Sequence, residues 1–421
     1  MTNDFLKQAV ISLGGKGTRL KKITNEIPKP LWEIEGISCL ERAIKRLKES
    51  GINHFIWLLG YKSKIFKFEK IRLEQKYEIT IKVYVEEFPM GEIGAIFKVI
   101  DLLDDNFLFL SGDVIFDIDF ERVYKFSKSK NADICVLAHT TTHPDDSDCL
   151  LISNDLKIRD YNFKGEKSKK LGCFLGNTGI VVIKKKVIED LKDYYAKRLE
   201  MKDYKFGTFK DITIQSHEKK FNVFIYNTSE YIADMGTQER LKKVSNDIRN
   251  GIVSSKSYRR EQKALFLDRD NTIIECDKGK YITEVKEIKI KKNRISKIKN
   301  LAKKFDLIIL ITNQPQIAMS LTTWQNVIRI NGLIIIKCLE LGLKISDFYI
   351  CPHHPHYGFE GENKSLKVHC FCRKPSPGML FQAAFEKNID LKSSLFIGDS
   401  WRDEYAAKAA LVDFKSAYEL D

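Results

Sequence analysis

No stretch of this 421-residue chain approaches the ~18–20 consecutive apolar residues of a membrane span. The short apolar run Ala9–Leu13 is far too brief for a secretory signal and leads straight into a glycine loop. Cysteine is sparse and odd in number, nine in all, so a disulfide framework of the secreted kind is not expected. The expected compartment is a reducing cytosol. Internal repeats and low-complexity tracts are missing. Lysine and arginine exceed the acidic residues by 14, yet they are spread along the whole chain. No zinc-finger, aromatic RNP or basic-zipper pattern accompanies them, so neither a specific nucleic-acid partner nor a membrane is expected. Such a positive field suits small polyanionic substrates or a solvated lysine-rich surface. A homo-oligomer is compatible with all of this.

What is present is enough apolar material for two cores, with 43% hydrophobic and 11% aromatic residues. Short apolar strands alternate with longer amphipathic segments, the pattern of α/β architecture. Strands are expected at Ala9–Leu13, Phe55–Leu59, Ile79–Val85, Phe107–Leu110, Ile134–Ala138 and Gly179–Ile183. A second series is expected at Ala264–Leu267, Leu307–Ile311 and Leu395–Ile397. Leu40, Ala43, Ile44 and Leu47 share one face of a helix over about 38–50, which Gly51 stops. The polar, Ser-rich and basic stretch after a closing helix at Gln238–Asn250 reads as a connector. The expected division is therefore 1–248, a linker at 249–262, and 263–421.

The strand Ala9–Leu13 runs into Gly14-Gly15-Lys16-Gly17-Thr18-Arg19. Three glycines after a strand let the backbone approach a phosphate chain with several N–H groups turned toward it. The spacing is neither that of a P-loop nor that of a dinucleotide fold. Arg19 can clamp phosphate oxygens in bidentate fashion. Pro28-Lys29-Pro30 follows, and flanking prolines should hold Lys29 on a rigid, extended loop that is not helical. Each feature alone is commonplace; in this order and spacing they are specific.

GGKGTRL followed by IPKPL resembles the signature of sugar-phosphate nucleotidylyltransferases, and the likeness extends through about 240 residues. It implies a Rossmann-like, GT-A-like mixed sheet. It also implies roles for individual residues. Gly14, Gly15, Gly17 and Thr18 would cradle the nucleoside triphosphate, with Gly91 and Gly94 of a second glycine segment against the nucleoside. Asp113 and Asp234 would hold Mg²⁺. Asn177 and Lys164 would face the sugar phosphate, while Arg19 and Lys29 would neutralise phosphate charge. The family's usual alanine before the glycine pair is Leu13 here. The reaction is attack of a sugar 1-phosphate on an α-phosphorus with loss of pyrophosphate. It needs positioning and charge neutralisation more than covalent help.

In the second half, strand Ala264–Leu267 ends in Asp268-Arg269-Asp270-Asn271-Thr272. Two carboxylates two residues apart at a strand end repel unless a cation or proton lies between them. One can attack phosphorus while the other handles the leaving-group proton. Thr312-Asn313-Gln314, then Arg373-Lys374-Pro375, then Gly398-Asp399-Ser400 with Asp403 complete an ordered set. It resembles the four motifs of haloacid dehalogenase-like phosphatases and implies a parallel-sheet domain. By that resemblance Asp268 is the nucleophile and Asp270 the general acid/base. Thr312 and Asn313 lie at the phosphoryl group, which Lys374 neutralises beside Arg373. Mg²⁺ is held by Asp268, Asp270 through its carbonyl, and Asp399, with Asp403 in support.

Cys351, His353, Cys370 and Cys372 form C-x-H and C-x-C pairs, four donors suited to a closed tetrahedral Zn²⁺ site. His354, His356 and His369 are expected outside it. With CRKPSPGM behind it, this loop resembles the subfamily containing D-glycero-D-manno-heptose 1,7-bisphosphate 7-phosphatase and histidinol-phosphatase. That subfamily's usual TNQSGIARG here reads TNQPQIAMS (312–320). A phosphatase of this kind releases a heptose 1-phosphate, the class of molecule the first half would consume. The fusion therefore implies nucleotide-heptose synthesis, with a guanylyl donor preferred to an adenylyl one. Other readings are a histidinol-phosphate or polynucleotide-end phosphatase, joined to a domain that only binds nucleotide-sugars.

Overall fold

The computed structural model describes residues 5–15, 27–141, 147–153, 155–163, 166–200, 212, 221–277 and 279–421. Gly17, Thr18, Arg19 and Lys164 lie outside the described residues. The chain forms two compact α/β units. The first comprises Met1–Leu137, Asn177–Tyr226 and Glu230–Ser257; the second comprises Ala138–Gly176, Asn227–Ser229 and Tyr258–Asp421. Among the described residues no helix is long and apolar enough to cross a membrane.

In the first unit Ala9, Val10 and Ile11 are all fully buried, as a continuous apolar run should be when both faces of its sheet are covered. They belong to the strand Gln8–Ser12, which runs parallel to His54–Leu59 on one side and to Asn106–Ser111 on the other. Thr80–Val85 adds a parallel edge beside His54–Leu59. Ile180–Lys184 runs antiparallel to Asn106–Leu110, so the sheet is mixed. A separate antiparallel ribbon joins Val114–Asp117 to Tyr231–Asp234. The helix Cys39–Glu49 lies where its spacing predicts. Ser38 caps it by accepting from the Glu41 amide at 3.1 Å, and Gly51 follows it at φ +87°. Leu40, Ala43, Ile44 and Leu47 are buried in one core with Trp57 and Phe116. Each buried Leu or Ile there contributes roughly 1.5–3 kcal/mol relative to exposure.

The second unit is built on a five-stranded parallel sheet in the order Asp347–Cys351, Leu307–Asn313, Ala264–Leu267, Leu395–Gly398, Asp413–Ser416. The first strand in sequence is central. The chain fills one side and then crosses to the other, which creates a switch point where ligand clefts form at the carboxyl ends. Tyr258, from the stretch read as a connector, is buried in this core with Ala264 and Phe266. The same stretch contains a short helix, Ile252–Ser255.

Residues 138–176, expected with the first half, pack in the second unit. Cys149–Ile152 and Ile158–Phe163 pair there as an antiparallel hairpin. Thr140 Oγ1 donates to the Ser346 carbonyl at 3.0 Å. Gly172 meets Gly332 of the helix Trp324–Glu340 so closely that a Cβ on Gly332 would fall 1.9 Å from the Gly172 oxygen. Contact through two glycines leaves no hydrophobic period in the sequence to betray it.

Candidate active sites

In the first unit, Ser12 lies opposite Ser111 across parallel strands, and the Gly112 amide donates to the Ser12 carbonyl at 2.9 Å. That register brings Gly14 and Gly15 beside the Gly112-Asp113 turn. A side chain on Gly112 would fall 2.2 Å from Leu13 Cδ2, so the larger residue before the glycine pair fits because Gly112 has none. Lys29 pairs through its ammonium with Asp113, whose other oxygen accepts from Ser111 Oγ at 2.8 Å. The expectation of an extended PKP loop is corrected. Lys29–Leu31 is a short 3-10 turn, tolerated because proline's missing N–H falls in a first turn, where that donor would be unused.

Asp234 pairs in register with Val114, the residue after Asp113, so the ribbon brings the two aspartates together. Its carboxylate accepts from the Gly236 amide at 2.7 Å and from Arg240 Nη1 at 2.8 and 3.0 Å. Burial pushes the Asp234 carboxyl upward, but the Arg240 and Gly236 hydrogen bonds outweigh it and hold the group below its ordinary value. A cleft of about 840 Å³ opens over these strand ends, lined in part by Gly14, Gly15, Lys29, Gly91 and Asp113. That volume suits a nucleotide-sized ligand. Gly91 turns there at φ +82°, which glycine adopts without strain. Asn177, Gly94 and Asp234 are not on the lining. Asn177 Oδ1 accepts from the Gly179 amide at 3.1 Å, and Gly94 backs onto Met90.

In the second unit, Asp268, Thr312 and Asp399 stand at the carboxyl ends of three adjacent parallel strands. Lys374 Nζ lies 2.5 Å from Asp268 Oδ1, 2.5 Å from Asp403 Oδ1 and 2.8 Å from the Ile311 carbonyl. Asp268, Asp399 and Asp403 offer oxygens all within 4.8 Å of one another. Burial pushes the Asp268 carboxyl well up. Lys374 opposes this, while Asp403 and Asp270 add to it. Burial and Asp403 likewise raise Asp399. One ammonium among this many carboxylates leaves the cluster short of positive charge, the deficit that a hard divalent cation with oxygen ligands would fill. The Asp270 carboxylate is engaged elsewhere, by Arg269 at 2.9 and 3.0 Å and by Gln314 at 2.9 Å.

Cys351, His353, Cys370 and Cys372 converge. Their sulfur–sulfur separations are 3.2, 3.3 and 3.6 Å, far beyond the roughly 2.05 Å of a disulfide. His353 Nδ1 lies 3.2 Å from Cys372 Sγ and 3.7 Å from Cys351 Sγ. A tetrahedron with metal–sulfur bonds of about 2.3 Å has edges near 3.8 Å, so four donors at these spacings fit Zn²⁺ with little movement. Hydrogen bonding from Cys351 draws the Cys372 thiol down to about 5 against burial, while Cys351 itself is raised. His354, His356 and His369 lie outside the cluster. Arg373 Nη1 donates to the His353 carbonyl at 3.0 Å, tying the cysteine loop to the residue before Lys374.

Comparison with known proteins divides the chain between residues 251 and 263. The nucleotidyl transferase family matches residues 8–251, more than half of the chain. The chain belongs to the nucleotidyl transferase family. Over 240 residues the transferase is 30% identical to the D-glycero-alpha-D-manno-heptose 1-phosphate guanylyltransferase of Campylobacter jejuni, covering 55% of this chain and 96% of that protein. A crystal structure of a Bacillus anthracis protein, described as a candidate glucose-1-phosphate thymidylyltransferase, shares the fold. It superposes with a TM-score of 0.51 at 21% identity, covering 58% of this chain and 95% of that one. Residues 263–418 match the polynucleotide kinase 3 phosphatase family. There the D-glycero-beta-D-manno-heptose-1,7-bisphosphate 7-phosphatase of Yersinia pestis is 34% identical over 152 residues, 36% of this chain and 78% of that protein. The nucleotidyl transferase thus carries a phosphatase on the same chain and is an enzyme with both activities.

Within the phosphatase part, Thr312 Oγ1 accepts from Gln314 Nε2 at 2.8 Å. Asn313 does not point at an open site: its side-chain amide bonds the backbone of Lys374. Asn271 holds φ +55° where the resembled motif has glycine, and its Oδ1 accepts from the Cys276 amide at 3.0 Å, so asparagine satisfies the left-handed turn. Ser320 takes φ +55° at another lost glycine. Sequence reasoning missed Arg269, Gln314, Arg240 and Glu86. Arg269 reads as filler between two aspartates, and Arg240 is six residues from the carboxylate it clamps. Glu86, on the cleft of the transferase part, has no motif of its own.

Proposed function

We propose that the chain carries out two consecutive steps of nucleotide-heptose synthesis in the cytosol, hydrolysis in residues 263–421 and nucleotidyl transfer in residues 1–248, joined by 249–262. The phosphatase removes the 7-phosphate of D-glycero-D-manno-heptose 1,7-bisphosphate. The transferase then moves a guanylyl group from GTP to the resulting heptose 1-phosphate and releases pyrophosphate. The observation carrying this reading is the likeness of the two spans of one chain to enzymes named for consecutive chemistry. Hydrolysis at C7 leaves the C1 configuration untouched, so both sites must take one anomer. The guanylyltransferase relative is named for the α-anomer and the phosphatase relative for the β-anomer. The final nucleotide-sugar inherits its anomer from the transferase, which points to α for both steps here.

In the phosphatase, Asp268 attacks the 7-phosphorus, and Asp270 gives a proton to the departing sugar oxygen. A water activated by Asp270 then hydrolyses the aspartyl-phosphate. Lys374 and Thr312 bind the phosphoryl oxygens. Mg²⁺, held by Asp268, Asp399 and the Asp270 carbonyl with Asp403 in support, would neutralise developing charge. Zn²⁺ on Cys351, His353, Cys370 and Cys372 would be structural.

In the transferase, Lys29, with Arg19, neutralises the reacting phosphates. Asp113 and Asp234 are the carboxylates for Mg²⁺, and Asn177 and Lys164 face the sugar phosphate. Glu86 favours guanine as the base. Its carboxylate lines the cleft beside Gly14, and burial raises its pKa, so two donors would stabilise its charge. Guanine offers two adjacent donors, N1–H and N2–H, which no other standard base presents together.

The test is a panel assay. Phosphate release from α- and β-heptose 1,7-bisphosphate, histidinol phosphate and a 3′-phosphorylated oligonucleotide would be read beside pyrophosphate release with four nucleoside triphosphates. The reading expects the α-bisphosphate and GTP to lead. Preference for the oligonucleotide, or no pyrophosphate with any pair, would overturn it.

A further inference from the structure

Two glutamine side chains stand in file beneath the phosphatase site. Gln314 Nε2 donates to Asp270 Oδ2 at 2.9 Å and to Thr312 Oγ1 at 2.8 Å. Its Oε1 accepts from Gln316 Nε2 at 2.5 Å. Thr312, Gln314 and Gln316 are all buried. The end group dictates which way the amides face. Arg269 donates to both Asp270 oxygens, so both act as acceptors and Gln314 presents its NH₂ to Asp270. Its carbonyl then faces Gln316, which must answer with its own NH₂. Among the described residues Gln316 Oε1 is left buried with no hydrogen-bond partner, an unfavourable state accepted for the one bond that Nε2 makes.

That bond has two consequences. It stops Gln314 from flipping by 180°, which would set a carbonyl oxygen against the Asp270 carboxylate. By occupying a lone pair of Thr312 Oγ1 through Gln314, it leaves the Thr312 O–H free to donate to a phosphoryl oxygen. The resembled motif has glycine where Gln316 stands, and a glycine would take this partner away from Gln314 Oε1.

We infer that Gln316 is a positioning residue of the phosphatase reaction: through Gln314 it fixes Asp270 and Thr312 in the orientations that the leaving oxygen and the phosphoryl group require. It touches neither substrate nor nucleophile. The inference rests on the phosphatase reading above.

The test measures kcat and KM for phosphate release with Mg²⁺, using heptose 1,7-bisphosphate and p-nitrophenyl phosphate. The proteins are wild type, Gln316→Met, Gln316→Gly, Gln314→Ala and the doubles Gln314→Ala/Gln316→Met and Gln314→Ala/Gln316→Gly, each with its melting temperature. Methionine keeps the volume and removes the donor. Gln316→Met should lower kcat about tenfold, with KM within about twofold and melting unchanged. In the Gln314→Ala background neither change at 316 should lower kcat further, because the coupling partner is gone. A merely structural role predicts the opposite: methionine behaves as wild type, while glycine loses melting temperature and activity together. Wild-type kcat in Gln316→Met, or an equal fall without Gln314, overturns the inference. If Gln316→Met does not fold, Gln316→Gly and its double give the same comparison. No release by wild type from either compound would defeat the phosphatase reading itself.

Discussion

Asn313 and Lys374 are joined by a pair of hydrogen bonds: Asn313 Nδ2 donates to the Lys374 carbonyl at 3.0 Å, and the Lys374 amide donates to Asn313 Oδ1 at 3.1 Å. A side-chain amide thus pairs with the backbone as a neighbouring strand would, and it does so at the residue whose ammonium bridges Asp268 and Asp403. Asn313→Ala frees that backbone and should lower the phosphatase kcat about 10–100-fold through mispositioning of Lys374. Pyrophosphate release by the same preparation should be unchanged. A wild-type phosphatase rate in Asn313→Ala would show that the pairing has no part in the chemistry.

Asp268 and Asp113 should separate the two activities. Asp268→Asn removes the nucleophile and should abolish phosphate release, while pyrophosphate release persists. Asp113→Asn should do the reverse. Stability makes the first substitution more telling. Because burial and neighbouring carboxylates raise Asp268, its charge is unfavourable in the folded state and should weaken the metal-free protein as pH rises above the ordinary carboxylate range. Metal-free Asp268→Asn should therefore melt no lower than wild type at pH 7. A drop of several degrees would contradict the picture of an under-neutralised cluster.

The strand-end chemistry was legible in the sequence because apolar runs and the residues that end them are local features. Ala264–Leu267 followed by Asp268, and Leu307–Asn313 carrying Thr312 at its end, are visible as soon as the runs are found. The partners of those groups were not. Arg269 and Gln314 gather on Asp270, and Gln316 on Gln314, through side-chain directions that no spacing records. The short strands Val114–Asp117 and Tyr231–Asp234, which bring Asp113 and Asp234 together, were missed because four-residue runs carry too little pattern. The packing of 138–176 in the second unit turns on Gly172 and Gly332, where a missing side chain is the signal.

Glu41 supplies a test of pH and stability in the first unit. Its buried carboxylate would be raised by burial, but Arg72 at 2.6 Å, Lys76 at 2.7 Å and Tyr77 at 2.9 Å bring it down to about 2. A carboxyl lowered on folding stabilises the fold above its unfolded pKa near 4.5, and that contribution is lost as pH falls toward 2. Arg72 and Lys76 are half exposed, so water screens the pair and the contribution is about 1–2 kcal/mol. Glu41→Gln should lower the melting temperature of the transferase unit at pH 7. Scanning calorimetry should find the difference from wild type shrinking below pH 4.5. A difference that stays constant to pH 2.5 would assign the effect to packing.

The cysteine cluster makes the last prediction. Arg373 follows directly on Cys372, and its guanidinium donates to the carbonyl of His353, so any loosening of the cluster is passed to Lys374 one residue on. Four donors spaced to hold one ion, in a segment with little regular structure, would make a bound ion the main constraint on that segment. The purified chain should carry about one zinc, measured by atomic emission. Cys370→Ser, or dialysis against a strong chelator followed by Mg²⁺ alone, should release it. Phosphatase kcat should then fall at least tenfold while pyrophosphate release holds, and zinc should restore the chelated wild type but not the variant. Because the donors bind as thiolates, zinc should also leave more readily as pH falls toward 5, where protons compete for sulfur. Full phosphatase activity in zinc-free protein would mean that hydrogen bonds among the four side chains, with the hold of Asn313 on the Lys374 backbone, suffice.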